Sequence, residues 1–304
     1  MRSVVVTGSA GPVGRRLVAA LGPAAVTLDL AAASDQDLDA ALARAEVVAH
    51  LDWTLAGPRV AEQAARANVE STRRLLAAAG RRSVDVLVLL SSATVYGAWR
   101  DNPIPLTEEA PLRPNPGVVD AVHHAEAERL VTEWADDHPA ARVVILRPAM
   151  VLGPGVDTWL TRALGGRPAV RPDQADPPRQ FVHVDDVAGA VLAAIEGPLA
   201  GTFNVAADGW LTGEAVRGLS AGRPTVPIPG RLASDTARWA WDLHLFSLPL
   251  TPAETAPFGP PTIATSVDAI VHALVAATQA GTLPPARLSQ AAADVVAAKG
   301  VKLC

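Results

Sequence analysis

The sequence predicts an α/β fold in which a parallel β-sheet is covered by helices on both faces. Short runs of β-branched and aliphatic residues alternate with helical patterns along the first two thirds of the 304-residue chain. A glycine-rich turn follows the first of these runs, and an acidic residue ends the second. Since parallel strands need crossover connections, the alternation favours a doubly wound sheet.

Apolar runs bounded by glycine, proline or polar residues predict the strands, and apolar residues at spacings of three and four predict the helices. Strands are predicted at 3–7, 25–29, 46–51, 84–91, 142–148 and 201–206. Helices are predicted at 12–21, 35–45, 58–80, 118–138 and 185–196.

The glycine-rich turn predicts a dinucleotide site. Glycines at such a turn allow tight folding, a close approach of the pyrophosphate and packing of helix on strand, and the helix N-terminus offers N–H groups to phosphate. Asp29 ends the second strand 21 residues after Gly8, the spacing expected of a carboxylate that binds the adenosine ribose. The cofactor contacts predicted from this unit are Gly8, Gly11, Pro12, Val13, Gly14 and Asp29.

Several sequence blocks resemble the extended branch of the short-chain dehydrogenase/reductase superfamily. They are the Gly-x2-Gly-x2-Gly turn and the segments 47–51, 68–76, 86–97, 147–155, 181–187 and 203–205. The resemblance implies a Rossmann fold over about residues 1–206. The family usually places one more helix and strand between Asp29 and Val47 than this chain can hold, which predicts a trimmed sheet edge. The resemblance also implies cofactor contacts at Leu51, Asn68, Ser91 and Pro148.

The family's catalytic tyrosine and lysine are missing. In the family, a serine or threonine hydrogen-bonds the carbonyl, a tyrosine donates the proton, and a lysine four residues later lowers the pKa of that tyrosine. Ser92 matches the serine, but alignment on Glu128 puts Asp120 at the tyrosine position and His124 at the lysine position. The chain has one tyrosine, Tyr96, so no other register restores the pair.

Several groups are candidates for the missing roles. His124 is expected to reach the nicotinamide ribose and, as a group that titrates near neutrality, to donate a proton. Tyr96 is the candidate for a displaced acid, and Asp120 would need a pKa raised by burial. His123 is expected to face solvent and His183 to be structural. Alternatively, a phenol beside the substrate ketone protonates the alkoxide, and the enzyme only positions the reactants.

The candidate substrate contacts favour a flat apolar ligand over a sugar. Nucleotide-sugar enzymes of this branch often have asparagine where this chain has Met150, whose thioether offers no polar contact. Arg179, however, matches a family arginine that meets a diphosphate. The chain has seven tryptophans, several at places that could wall an aromatic ligand. The predicted substrate contacts are Trp53, Thr94, Trp99, Met150 and Trp159.

This combination resembles the atypical extended reductases of aromatic polyketide tailoring. That resemblance implies NAD(P)H-dependent reduction of a ketone on a polycyclic, angucyclinone-type polyketide in antibiotic biosynthesis. Two alternatives stay open: a non-catalytic NAD(P)-binding sensor or scaffold, and a nucleotide-sugar epimerase or dehydratase with a rebuilt acid. Asp29 favours NADH, whereas Arg15 and Arg16 are placed to meet the 2′-phosphate of NADPH, so use of both is expected.

Composition sets the remaining expectations. The net charge of −5 and the scattered basic residues give no sign of a nucleic-acid site. The single cysteine, Cys304, together with the absence of a leader or a membrane-spanning stretch, predicts a cytoplasmic protein. No metal site is predicted, and the oligomeric state is left open. Residues 1–156 and 180–206 are expected to form the dinucleotide-binding domain, and 157–179 and 207–304 a small, mostly helical substrate cap.

Overall fold

The computed structural model describes residues 2–53, 61–99, 101–103, 105–116, 118–157, 169–172, 179–212, 215 and 225–228. The described strands are β1 (Val4–Thr7), β2 (Ala25–Leu28), β3 (Val47–His50), β4 (Val86–Leu90), β5 (Arg142–Pro148), β6 (Met150–Leu152), β7 (Ala169–Pro172), β8 (Phe181–His183), β9 (Gly201–Val205) and β10 (Thr225–Ile228). The described helices are α1 (Pro12–Leu21), α2 (Asp35–Leu42), α3 (Ala61–Gly80), α4 (Val119–Asp137) and α5 (Val184–Glu196).

The predicted doubly wound parallel sheet is confirmed. Six strands pair in the order β2-β1-β3-β4-β5-β9, and every pairing is parallel. The prediction of a trimmed edge is also confirmed in the described residues, because β2 is an edge strand and α2 alone connects it to β3. The carboxyl ends of β1, β2, β3 and β4 therefore meet along one edge, where doubly wound sheets bind their ligands.

Each face of the sheet packs on its own layer of helices. Along β1, Val4 and Val6 face the layer that contains α1 and α5, whereas Val5 faces the layer that contains α2, α3 and α4. This alternation follows from the two-residue repeat of a strand. The central strands read as continuous apolar runs because they are buried on both faces.

Two small parallel sheets lie outside the main one. Strand β6 pairs with β8, and β7 pairs with β10. The second pair joins the two predicted cap segments, 157–179 and 207–304, and neither strand was anticipated. Most of the predicted cap, including Trp159, lies outside the described residues.

Among the described residues, no helix is long and apolar enough to cross a membrane. No group of three or more His, Cys, Asp or Glu side chains is arranged to hold a metal ion in this part of the chain.

Candidate functional site

The glycine turn between β1 and α1 has the shape that a pyrophosphate requires. Gly8 has a φ of 66°, and a Cβ there would lie 2.6 Å from the carbonyl oxygen of Leu51. A Cβ on Gly14 would press into the Gly8 carbonyl and lie 2.8 Å from the Cα of Ser9. Because backbone atoms occupy the space of both Cβ atoms, only glycine fits at these two positions, and α1 begins close to the sheet edge.

The first turn of α1 offers N–H groups to a phosphate. Gly11 precedes the helix in an extended conformation without a side-chain cap, and Pro12 has no N–H. The N–H of Arg15 donates to the carbonyl of Gly11 at 2.9 Å. Helix geometry therefore leaves the N–H groups of Val13 and Gly14 directed at a ligand.

The predicted binding place of the adenosine ribose lies beside this turn. In the parallel register, the residues that follow β2, β1 and β3 lie side by side, so Asp29 and Leu51 flank Gly8. Asp29 is exposed, and its Oδ1 accepts the N–H of Ala31 at 3.0 Å. The N–H of Leu51 donates to Thr7 Oγ1 at 3.2 Å, which fixes the chain as it leaves β3.

The two arginines predicted to meet a 2′-phosphate are directed elsewhere. Arg16 forms an ion pair with Asp185 and donates to the carbonyl oxygens of Pro12 and Pro154, both at 2.9 Å. Its guanidinium therefore ties α1 to the start of α5, and the structure argues against the predicted cofactor role.

The Arg15 side chain, like that of Arg16, extends towards residues 154–155. Its side chain donates to the Ala10 carbonyl at 2.6 Å and approaches Gly155, where a Cβ would lie 3.2 Å from Arg15 Nη2. The hydrogen bond to the Ala10 carbonyl and the position of the guanidinium beside Gly155 argue against the predicted 2′-phosphate contact of Arg15.

A buried histidine chain, which the sequence analysis missed, braces the floor of the site. Burial lowers the pKa of His50 to about 4, so the ring is neutral. Thr72 Oγ1 donates to the Asn68 carbonyl at 2.9 Å and therefore accepts from His50 Nε2 at 2.9 Å. His50 Nδ1 then accepts from Thr7 Oγ1 at 2.8 Å. This chain fixes the tautomer and ties β1 and β3 to α3 near Asn68, a predicted cofactor contact.

Tyr96 is sealed inside a polar network. It is 0% exposed, its hydroxyl donates to Asn204 Oδ1 at 2.8 Å, and that hydroxyl accepts from Arg147 Nη1 at 2.7 Å. Arg147 also forms a buried ion pair with Glu128, with Nη2 2.6 Å from Oε2. These contacts argue against the predicted acid role of Tyr96, because its phenol is enclosed and fully engaged.

Ser91 belongs to the same network. Its hydroxyl donates to Glu128 Oε1 at 2.5 Å and is buried. The side chain predicted to contact the cofactor is thus committed to Glu128, and it holds the end of β4 against α4.

Ser92 begins a short 3-10 helix, Ala93–Tyr96, directly after β4. Its Oγ accepts the Thr94 N–H at 3.3 Å and the Thr94 hydroxyl at 2.9 Å. Ser92 is the acceptor in both bonds, so its own proton is available to a carbonyl oxygen. This arrangement suits the hydrogen-bonding role predicted for Ser92 and makes Thr94 the residue that orients it.

His124 and Trp53 form a stacked pair at the carboxyl end of β3. Their ring centroids are 3.7 Å apart and their planes differ by 17°. Burial, together with the neighbouring His50 and His123 rings, lowers the pKa of His124 to about 3. A neutral imidazole can hydrogen-bond a ribose, but it is not the protonated imidazolium that could act as an acid near neutral pH. Its low pKa therefore argues against the predicted acid role of His124.

Asp120 lies one helical turn before His124, on the same face of α4. Burial raises the pKa of its carboxyl, and the nearby His123 ring and Trp53 N–H offset only part of that rise. His123 Nδ1 lies 2.8 Å from the Val119 carbonyl, so that ring is half-buried against its own helix.

One buried polar atom supports a bound nucleotide beside α4. His124 Nδ1 has no hydrogen-bond partner among the described residues, whereas the Trp53 N–H is directed towards the Asp120 carboxyl. Buried polar groups are normally paired, so the free imidazole nitrogen fits a ligand with hydroxyl groups. Together with the turn and Asp29, this atom shows that the residues present fit NAD(P).

The other predicted contacts are placed as follows. Pro148 is buried at the end of β5, and Met150 is half-buried in β6. Trp99 Nε1 donates to the Arg113 carbonyl at 2.5 Å, which ties this ring to its own loop. His183 caps α5 by accepting the Asp185 N–H at 3.3 Å, as expected of a structural residue. The Arg179 backbone bridges to Leu211.

Comparisons with known proteins agree with this geometry. The chain is 34% identical over 189 residues to the uncharacterized protein Rv0501 of Mycobacterium tuberculosis, a match that covers 61% of this chain and 50% of that protein. The chain thus spans about half the length of the mycobacterial relatives that it matches. A 3-diazoavenalumate denitrifying reductase from a Streptomyces species is 31% identical over 275 residues, which cover 78% of this chain and 87% of that protein.

Among solved structures, a short-chain dehydrogenase/reductase superfamily protein from Agrobacterium tumefaciens with bound NAD superposes with a TM-score of 0.62. It is 25% identical and covers 74% of this chain and 85% of its own. The family model for NAD-dependent epimerases and dehydratases matches residues 4–206, the span that holds the glycine turn, Asp29, Ser92 and the main sheet. The chain therefore belongs to the NAD dependent epimerase/dehydratase family, within the extended short-chain dehydrogenases/reductases, and it is built to bind NAD(P).

Proposed function

We propose that the chain is an NAD(P)H-dependent reductase that delivers hydride to the ketone of a flat, polycyclic aromatic polyketide, and that the protein's tyrosine supplies no proton. One observation carries the proposal. The single tyrosine of the sequence has its hydroxyl enclosed between Arg147 and Asn204, while Ser92 remains placed to meet a carbonyl. The chain thus keeps the group that positions a ketone and lacks the usual acid.

The nucleotide would lie along the sheet edge, with the glycine turn on its pyrophosphate, Asp29 on its adenosine ribose and the free Nδ1 of His124 near its second ribose. Bound NAD(P)H would supply the hydride. The Ser92 hydroxyl would donate to the carbonyl oxygen, where negative charge develops. A phenol adjacent to the ketone would then give its proton to the alkoxide, and solvent would restore that phenol proton.

The aromatic substrate class rests on the predicted walls. Trp53 and Thr94 stand at the carboxyl ends of β3 and β4, and Met150 lies just beyond β5. A planar indole beside the nicotinamide end favours a flat ring system over a sugar. The likeness to the angucyclinone ketoreductase of simocyclinone antibiotic biosynthesis, an extended reductase that also lacks the usual tyrosine, supports an angucyclinone-type ketone.

A second acceptor is favoured by the relative named as a 3-diazoavenalumate denitrifying reductase. Hydride transfer to an aryl diazonium carbon forms a C–H bond, breaks the C–N bond and releases N₂. No alkoxide forms, so no acid is required. A site without an acid therefore suits this reaction as well.

Deuterium transfer separates the acceptors. With C4-deuterated NADH, the proposal predicts deuterium on the new carbinol carbon of a polycyclic phenolic ketone, detected by mass spectrometry. Ser92→Ala should lower kcat for the ketone by about 100-fold, but it should change diazo reduction far less because no oxyanion forms. Tight NADH binding without transfer to any acceptor would refute both reductions and favour the sensor alternative.

A further inference from the structure

The adenosine end of the site contains a second carboxylate, which follows from how the chain leaves β3. A Cβ on Gly8 would lie 2.7 Å from both the N and the Cα of Asp52. The chain after Leu51 therefore passes directly against the glycine turn, and Gly8 lies between Leu51 and Asp29 in the strand register. Asp52 is half-buried there.

Burial raises the pKa of Asp52, and the negative charge of Asp29 raises it further. Asp52 therefore lies near Asp29, at the end of the sheet where the adenosine ribose of a nucleotide on the glycine turn would lie.

No arginine of the turn neutralises this pair. Arg16 is bonded to Asp185 and to the carbonyl of Pro154, and Arg15 lies beside Gly155. These partners lie in α5 and in the segment that follows β6, whereas Asp29 and Asp52 follow β2 and β3.

We propose that Asp52 is a second specificity-determining residue, which acts with Asp29 to select NADH by accepting a free ribose 2′-hydroxyl and repelling the 2′-phosphate of NADPH. The two carboxylates would repel a 2′-phosphate, because Arg74, the cation beside the loop after β2, is already bonded to Asp35 and to the carbonyl oxygens of Leu30 and Ala33. The proposal depends on dinucleotide binding and not on the acceptor substrate, so its failure and that of the proposed reduction are distinguishable.

Titration calorimetry with NADH and NADPH tests the proposal. The unaltered protein should bind NADH at least about tenfold more tightly. Asp52→Asn should tighten NADPH binding by about tenfold, while the NADH dissociation constant changes by less than about twofold. Adenosine 5′-monophosphate and adenosine 2′,5′-bisphosphate differ only in the 2′-phosphate and lack the nicotinamide end. Asp52→Asn should reduce the difference between the affinities for these two ligands in the same way.

Asp136→Asn is the matched control. Asp136 is exposed near the end of α4, and α4 runs back along the sheet towards the edge opposite the site. The control removes the same charge and should leave the preference unchanged. Equal affinity of the unaltered protein for NADH and NADPH would overturn the proposal. An Asp52→Asn protein with the original preference and melting temperature would overturn it as well.

Discussion

Gly14→Ala is expected to weaken NADH binding by at least about 100-fold. The added Cβ would press into the Gly8 carbonyl and lie 2.8 Å from the Cα of Ser9. Both neighbours are backbone, so α1 must move away from the turn and carry its N–H groups away from the pyrophosphate. Calorimetric titration with NADH measures the effect, and the melting temperature shows whether the fold is retained.

Gly11→Ala provides the matched control in the same turn. Its Cβ would meet only the Gly8 carbonyl, at 3.2 Å, a contact that a small shift relieves. We expect a loss of affinity well below that of Gly14→Ala. Equal losses for the two variants, or unchanged binding by Gly14→Ala, would contradict the assignment of the turn as the pyrophosphate site.

Glu128→Gln is expected to lower the free energy of unfolding by about 3–5 kcal/mol, because it leaves the Arg147 guanidinium buried without a counter-charge. The two side chains are 7% and 3% exposed, and three Arg147–Glu128 hydrogen bonds join them. The change also weakens the acceptor of the Ser91 hydroxyl. Urea denaturation measures the loss.

Glu126→Gln, two residues earlier on α4, is the comparison. Glu126 pairs with Arg73 and Arg129 at the surface, where water screens the charges. Its loss should cost less than about 1 kcal/mol. Similar costs for the two variants would show that the Arg147–Glu128 pair does not hold the network together.

Much of the fold could be predicted because its signals are local. The alternation of apolar runs and helical patterns placed all six strands of the main sheet and its five helices within a few residues. Strands β6, β7, β8 and β10 have three or four residues each, and each pairs with a strand that lies far away in the sequence. Such strands have too little periodicity to predict from sequence.

The site was harder to predict because side-chain partners are set by tertiary contacts. The glycines and Asp29 could be predicted from their spacing, which the backbone geometry of the turn imposes. Arg16 occupies a plausible place for phosphate binding, but its partner Asp185 is 169 residues away. The neutral state of His124 likewise arises from burial against Trp53, which no local pattern encodes.

The proposed reduction takes place without an acid from the protein. The most direct test is the initial rate of NADH oxidation with a polycyclic ketone that bears an adjacent phenol, compared with its phenol methyl ether. The structure predicts turnover of the free phenol and a much lower rate with the ether, because the sealed Tyr96 and neutral His124 offer no substitute proton. Equal rates would contradict the account and direct attention to Asp120, whose carboxyl has a raised pKa at the tyrosine position.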